Sequence, residues 1–306
     1  MQPTGLKILV LSPGANPNSV TGPLIGYSHS EALARLHDVT LVAGPRHEKA
    51  VRDANGPFRS VEFIPPTWLN HAYEWAFRRF LKSSGNLYWS IISIPQVLDF
   101  ERRAWRRLRE RLRSGEFDVV LRLLPIDPKM PSPFAAYLRG TSVPFVIGPL
   151  NGGLPWPKGF SQLNKHLPAA SYWAPKLREI YKLAPYARST YVNAAAIIAG
   201  SSNTFGEFST YREKLFYVPG DNGVKASWIQ ERTGSADPQH PLKVIMVNRL
   251  VPLKAVDLAI RGVAPLLRDG RIRISILGDG PERSRLEALA SELGVRNEIE
   301  FCVWLR

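Results

Sequence analysis

Two cations, Arg249 and Lys254, flank a short turn in "VNRLVPLKAVDLAIRG" (247–262), between an apolar run and an amphipathic one. The free N–H groups at a helix start already make that end partly positive, so a lysine there is unfavourable unless an anion lies between. Phosphate or diphosphate suits such a helix end, with Arg249 and Lys254 supplying the counter-charge. The competing reading is a surface lysine and a salt-bridged arginine.

Two further stretches combine glycine with polar residues after an apolar run. "SPGANPNSVTGP" (12–23) contains Gly22 just before a helical pattern, and "GPLNGGLPWP" (148–157) contains Gly148, Asn151, Gly152 and Gly153. Glycine pairs admit positive φ and let a ligand approach the backbone closely. An irregular turn without a ligand is the alternative in both places.

These residues need strands to carry them. Runs rich in Val, Ile and Leu, each closed by Gly, Pro or Ser, predict buried parallel strands at 6–12, 38–44, 61–65, 117–124, 144–149, 195–201 and 215–219. Helical patterns such as "SEALARLH" lie between them, and alternation of strand and helix predicts a doubly wound α/β sheet. The polar stretch 225–241 has the composition of a linker. A second series follows it: strand 242–250, helix 256–267, strand 272–278, helix 282–293 and strand 298–305. The expected organisation is a first domain over 1–224, the linker, and a second doubly wound domain over 242–306. Three strands are fewer than such a sheet usually has, so that domain is expected to be incomplete.

Forty Lys+Arg against 26 Asp+Glu give a net charge of +14 and favour an anionic partner. The segment 67–113 is the densest part, with ten Lys+Arg, four acids and Trp68, Trp75, Trp89 and Trp105. Within it "ERRAWRRLRERLR" places Ala104, Trp105, Leu108 and Leu112 on one helical face, with arginines around the rest. That pattern suits an anionic membrane surface, or a solvated helix packing a narrow stripe on the sheet. Nucleic acid is the weakest of the three readings, because no recognition motif accompanies the charge.

Other classes are excluded by what is missing from the sequence. One cysteine, Cys302, allows no internal disulfide framework, and the six histidines lack metal-ligand spacing, so neither metal nor cofactor is expected. There is no signal-peptide pattern at the N-terminus and no apolar run of the roughly 20 residues a spanning helix needs. A cytoplasmic protein, peripheral at the inner face of the cell membrane, is the expected localisation. "GDGPER" (278–283) has Arg283 where a dinucleotide fingerprint needs its third glycine, and no G-x-S-x-G, Walker A or H-E-x-x-H pattern occurs.

The motifs together resemble the retaining, nucleotide-sugar-dependent glycosyltransferases of family 4, which have two Rossmann-like domains in the GT-B architecture. The resemblance rests on "NRLVPLKAVDLAI", "ILGDGPERSRLEALASELGVRNEIEFCVWL", "YVPGDNGV" (217–224), "VIGPLNGG" (146–153) and "ALARLHDVTLVAG" (32–44). It implies transfer of a sugar from a nucleoside diphosphate to an acceptor hydroxyl with retention, without a metal, in glycan, polysaccharide or lipid-linked saccharide synthesis. Arg249 and Lys254 are then the donor diphosphate residues. Gly22, Gly148, Asn151, Gly152 and Gly153 shape the acceptor side, and Asn222 and Gly223 line the cleft.

This sequence departs from the family pattern in several places. Asn248 stands where the pattern has a small residue, Ala255 and Val303 where it has glycine, and Gly148 and Pro149 where many members have a catalytically important histidine. The paired-glutamate motif that contacts the donor sugar is not reached before Arg306. The resemblance therefore implies a fragment of a longer reading frame, inactive by itself. A non-catalytic relic that binds an anionic glycan or lipid is the alternative, ahead of a basic nucleic-acid-binding protein.

Overall fold

The computed structural model describes residues 5–76, 86–152, 180–219, 223–224, 229–231 and 241–303. The chain divides into two compact units, Met1–Trp228 and Ile229–Arg306.

The first unit is built on β1 (Lys7–Leu11), β2 (Asp38–Ala43), β3 (Ser60–Phe63), β4 (Val119–Arg122), β5 (Phe145–Leu150), β6 (Ala196–Ala199) and β7 (Leu215–Tyr217). All seven predicted strands are present. They form one parallel sheet in the order β3-β2-β1-β4-β5-β6-β7. The direction of winding reverses at β1, where Leu11 lies opposite Val42 of β2 on one side and Arg122 of β4 on the other. In such sheets ligands bind outside the carboxyl ends of the strands, near that reversal.

Helices α1 (Gly22–Ala34), α2 (Glu48–Asp53), α3 (Trp68–Ala76), α4 (Asn86–Arg113), α5 (Phe134–Tyr137), α6 (Ala187–Val192) and α7 (Ser202–Glu207) connect the strands. Strand residues alternate between the two faces, so β1 buries Ile8 and Val10 with Tyr27 and Ala34 of α1, and Leu9 and Leu11 with α4. The α4 contribution is its apolar stripe: Ala104, Leu108 and Leu112 are at most 1% exposed, and Trp105 is partly buried beside them. The bilayer reading of that stripe is corrected here, because the sheet core already covers it.

The second unit has β8 (Leu242–Val247), β9 (Ile272–Leu277) and β10 (Ile299–Cys302), parallel in the order β10-β9-β8. Helices α8 (Val256–Arg268) and α9 (Arg283–Glu292) bury Ile272, Ile274, Ile276 and Ile299 against Ile260, Ala264, Leu267, Leu286 and Leu289. The strand predicted over 242–250 stops three residues sooner, because the chain leaves the sheet to meet the loop after β9. Most of the polar stretch 225–241, residues 225–228 and 232–240, lies outside the described residues.

Candidate functional site

In the second unit the turn after β8 is bound to the loop after β9. Asn248 N donates to Leu277 O at 3.1 Å, Leu250 N to Asp279 O at 2.9 Å, and Glu282 N to Leu250 O at 3.1 Å. This approach is close enough that a Cβ on Gly278 would overlap Asn248 O, and one on Gly280 would overlap Leu250 O. Leu250 is fully buried and fixes the turn from below, whereas Arg249 beside it is exposed.

Lys254 ends a single 3-10 turn, Pro252–Lys254, and Ala255 then adopts the left-handed conformation (φ 48°, ψ 40°) that aims the chain into α8. Among the described residues no side chain caps α8. Its first-turn acid, Asp257, faces Arg285 Nη2 at 3.5 Å. Arg249 and Lys254 are exposed and form no ion pair with a described residue. The structure thus brings both cations to one turn ahead of an uncapped helix, an arrangement whose chemistry is anion binding.

In the first unit the residues at the carboxyl ends of the strands fall into two groups. A groove of about 590 Å³ runs between α1 and β4–β6, largely apolar, with Ser28, His29 and Glu31 of α1 and its flanking Thr21 and Arg35 among its polar residues. Gly148 and Gly223 both line it. Gly148 sits at φ 126°, and a Cβ there would overlap Ile198 O, so close packing of β5 on β6 requires glycine. Gly22 opens α1 with space around it, and the residue before it, Thr21, carries the positive φ of 57°.

Asn151 and Gly152 join a second group, the loop after β4. Asn151 N donates to Ile126 O at 2.9 Å, and a Cβ on Gly152 would touch Pro128 Cδ at 3.4 Å. That loop is tied down from below: Tyr191 Oη donates to Pro128 O, Ser132 N donates to Thr190 Oγ1 at 2.7 Å, and Arg122 Nη1 donates to Met130 O at 2.9 Å. Gly153 and Asn222 lie outside the described residues.

Below the loop lies a charged group absent from the sequence-level candidates. Glu101 of α4 and Arg122 of β4 are both buried, with Oε1 and Nε 3.3 Å apart, and Ser132 Oγ donates to Glu101 Oε2 at 2.5 Å. Burial pushes the Glu101 carboxyl up to about 7, against the downward pull of the Arg122 guanidinium and the Ser132 hydroxyl. A second unforeseen contact joins the loops after β1 and β2, where Asn16 Nδ2 meets His47 Nδ1 at 3.0 Å. Burial and the neighbouring Arg46 lower the His47 pKa.

Residues 229–305 match the family model for glycosyl transferases group 1. A stretch of 59 residues is 44% identical to an exopolysaccharide phosphotransferase of Streptomyces coelicolor, covering 19% of this chain and 6% of that protein. Among solved structures, the chain resembles the apo form of the lipopolysaccharide outer core galactosyltransferase WaaB (TM-score 0.54, 13% identity, 98% of this chain and 68% of that one). It is equally similar to Anabaena HepE in complex with UDP and glucose (TM-score 0.54, 15% identity, 98% and 70%). TarM follows at a TM-score of 0.51 and 10% identity, with coverage of 99% and 78%. At these identities the likeness shows the fold, α/β with two parallel sheets as in the GT-B glycosyltransferases.

Proposed function

We propose that the protein takes part in transfer of a sugar from a nucleoside-diphosphate-sugar to an acceptor hydroxyl, with retention of configuration, in the synthesis of a polysaccharide or lipid-linked saccharide. The observation that carries this reading is the pair of exposed cations, Arg249 and Lys254, on the turn before α8, neither in an ion pair with a described residue. A departing nucleoside diphosphate gains negative charge as the glycosidic bond breaks. Cations and helix N–H groups fixed beside it stabilise that change, and in this reading they do so in place of a divalent metal.

Gly278 and Gly280 hold the neighbouring loop against the turn and thereby fix where Arg249 leaves the sheet. The acceptor side is assigned to the loop after β1 and the end of β5, with Gly22, Gly148, Asn151 and Gly152 as backbone positions, and Gly223, after β7, to the cleft. The names of the similar proteins, an exopolysaccharide phosphotransferase and a lipopolysaccharide galactosyltransferase, favour a saccharide acceptor. Among the described residues no helix is long and apolar enough to cross a membrane. A peripheral place at the inner membrane face, through the basic segment 67–113, belongs to the same reading.

The test is direct binding of a panel of nucleoside diphosphates to the purified chain by titration calorimetry. Arg249→Ala and Lys254→Ala are each expected to weaken the best ligand at least tenfold, as loss of a charge-assisted contact of about 1.5–3 kcal/mol implies. Equal affinity in both variants would remove the two residues from this role.

A further inference from the structure

The basic, tryptophan-rich segment 67–113 does not behave as one amphipathic helix. Besides burying its apolar stripe, α4 engages many of its arginines. Arg103 pairs with Asp99 at 2.9 Å, Arg107 with Glu62 at 3.0 Å, and Arg111 with Glu62 at 3.1 Å and Glu116 at 2.7 Å. These three recur at every fourth residue and form one stripe along the helix. Arg102 lies over the Tyr186 ring, 6.0 Å from its centroid. Arg106, Arg109 and Arg113 form a different stripe, are exposed, and make no ion pair with a described residue.

The exposed aromatic surface is on α3 instead. Thr67 Oγ1 donates to Asp99 Oδ2 at 3.2 Å and Arg103 Nη2 donates to Asn70 Oδ1 at 3.3 Å, so the first turn of α3 is pinned on the outer side of α4 through Asn70. With about 100° between successive residues, Trp68, Ala72 and Trp75 fall roughly opposite Asn70. All three are exposed, Trp68 by 74% and Trp75 by 66%. Two exposed tryptophans one heptad apart on a short helix are costly in water, whereas an indole at the lipid headgroup level keeps an apolar body and a polar N–H both satisfied. The free arginine stripe of α4 borders the 99/103 side on which α3 sits, and Arg78, Arg79 and Lys82 follow α3 directly in sequence.

We propose that the outer face of α3, Trp68-Ala72-Trp75, is the part of segment 67–113 that enters a bilayer surface, while Arg106, Arg109 and Arg113 hold its anionic headgroups. This deepens the membrane part of the proposed function. It moves the anchor from the arginine-rich helix, whose apolar side is spent on the core, to the short helix pinned outside it.

The test is flotation of the whole chain with vesicles of phosphatidylcholine, with and without phosphatidylglycerol, at low and high salt. Flotation is expected only with phosphatidylglycerol and should fall as salt rises. Arg106→Gln, Arg109→Gln and Arg113→Gln together are expected to lower partitioning about a hundredfold at low salt, since each basic residue near the surface contributes about 1 kcal/mol. Trp68→Ala with Trp75→Ala should also abolish flotation, with circular dichroism unchanged because both side chains are exposed. Wild-type protein that stays unbound on anionic vesicles, or tryptophan variants that float as well as wild type, would overturn the proposal. Nucleoside diphosphate binding at Arg249 and Lys254 is read in a separate titration, so that failure of sugar-donor binding and failure of membrane docking give different results.

Discussion

Glu101 Oε1 and Arg122 Nε lie 3.3 Å apart beneath the loop after β4, with both side chains at most 1% exposed. Among the described residues Oε1, Nε and Nη2 have no well-formed hydrogen bond, so Ser132, Met130 and the Phe134 backbone satisfy only part of the pair. Taking two charges out of water costs several kcal/mol, and incomplete hydrogen bonding returns only part of it. The pair is therefore better read as an organiser of the 125–133 loop than as a source of stability. Met130 O and Ser132 Oγ are the atoms through which it reaches that loop.

A pH dependence follows from the raised Glu101 carboxyl. The folded state holds its proton up to about pH 7, whereas the unfolded chain releases it near 4.5. The proton's contribution to stability is thus complete below about pH 4.5 and is lost as pH rises through 7. Glu101→Gln mimics the protonated form. It is expected to flatten the dependence of the unfolding midpoint on pH between 5 and 7.5, measured by urea titration at each pH. A slope as steep in the variant as in wild type would assign the effect to another group.

The loop after β9 gives a second expectation. A Cβ at Gly280 has no room because Leu250 O occupies the space, and Gly278 is closer still to Asn248 O. Either Gly→Ala change must push the 278–282 loop away from the 248–250 turn and break the hydrogen bonds from Leu250 N and Glu282 N. A destabilisation of about 1–3 kcal/mol is expected, typical of overpacking at a closed site. Nucleoside diphosphate affinity should fall with it, because Arg249 is displaced. Amide exchange at Leu250 and Glu282 reads the local opening, and unaltered protection there would contradict the packing argument.

The strands were legible because a parallel sheet buries both faces, so each strand is a continuous apolar run that stands out from its neighbours. The turn at 247–256 was legible for a different reason: its cations contradict the helix end they precede. Three features were not. "FDVVLRLL" shows a charge inside a buried run, which marks Arg122 as unusual, but its partner Glu101 is hidden among the arginines of α4. The polar residues of α1 that line the groove face strands far along the chain, and helical periodicity alone does not report which strands those are. The apolar stripe of α4 fitted a bilayer and a core equally well in one dimension. Only its register on Leu9, Val120 and Phe145 decides for the core.

Ala255 is held left-handed at φ 48° immediately before α8, where an L-residue with a Cβ is strained by roughly 1–2 kcal/mol. Replacing it with glycine removes that strain but loosens the unfolded chain, which costs about 0.4–1 kcal/mol. The net expectation for Ala255→Gly is a gain of about 0.5–1 kcal/mol, a few degrees in the unfolding midpoint by calorimetry. The same change strips a side chain from the turn that presents Lys254 and the first N–H groups of α8, so a bound diphosphate could approach the backbone more closely. Nucleoside diphosphate affinity is therefore expected to rise together with stability. A loss of stability would show that Ala255 relaxes into another conformation, and a gain in stability with weaker binding would place the anion elsewhere than between Lys254 and the start of α8.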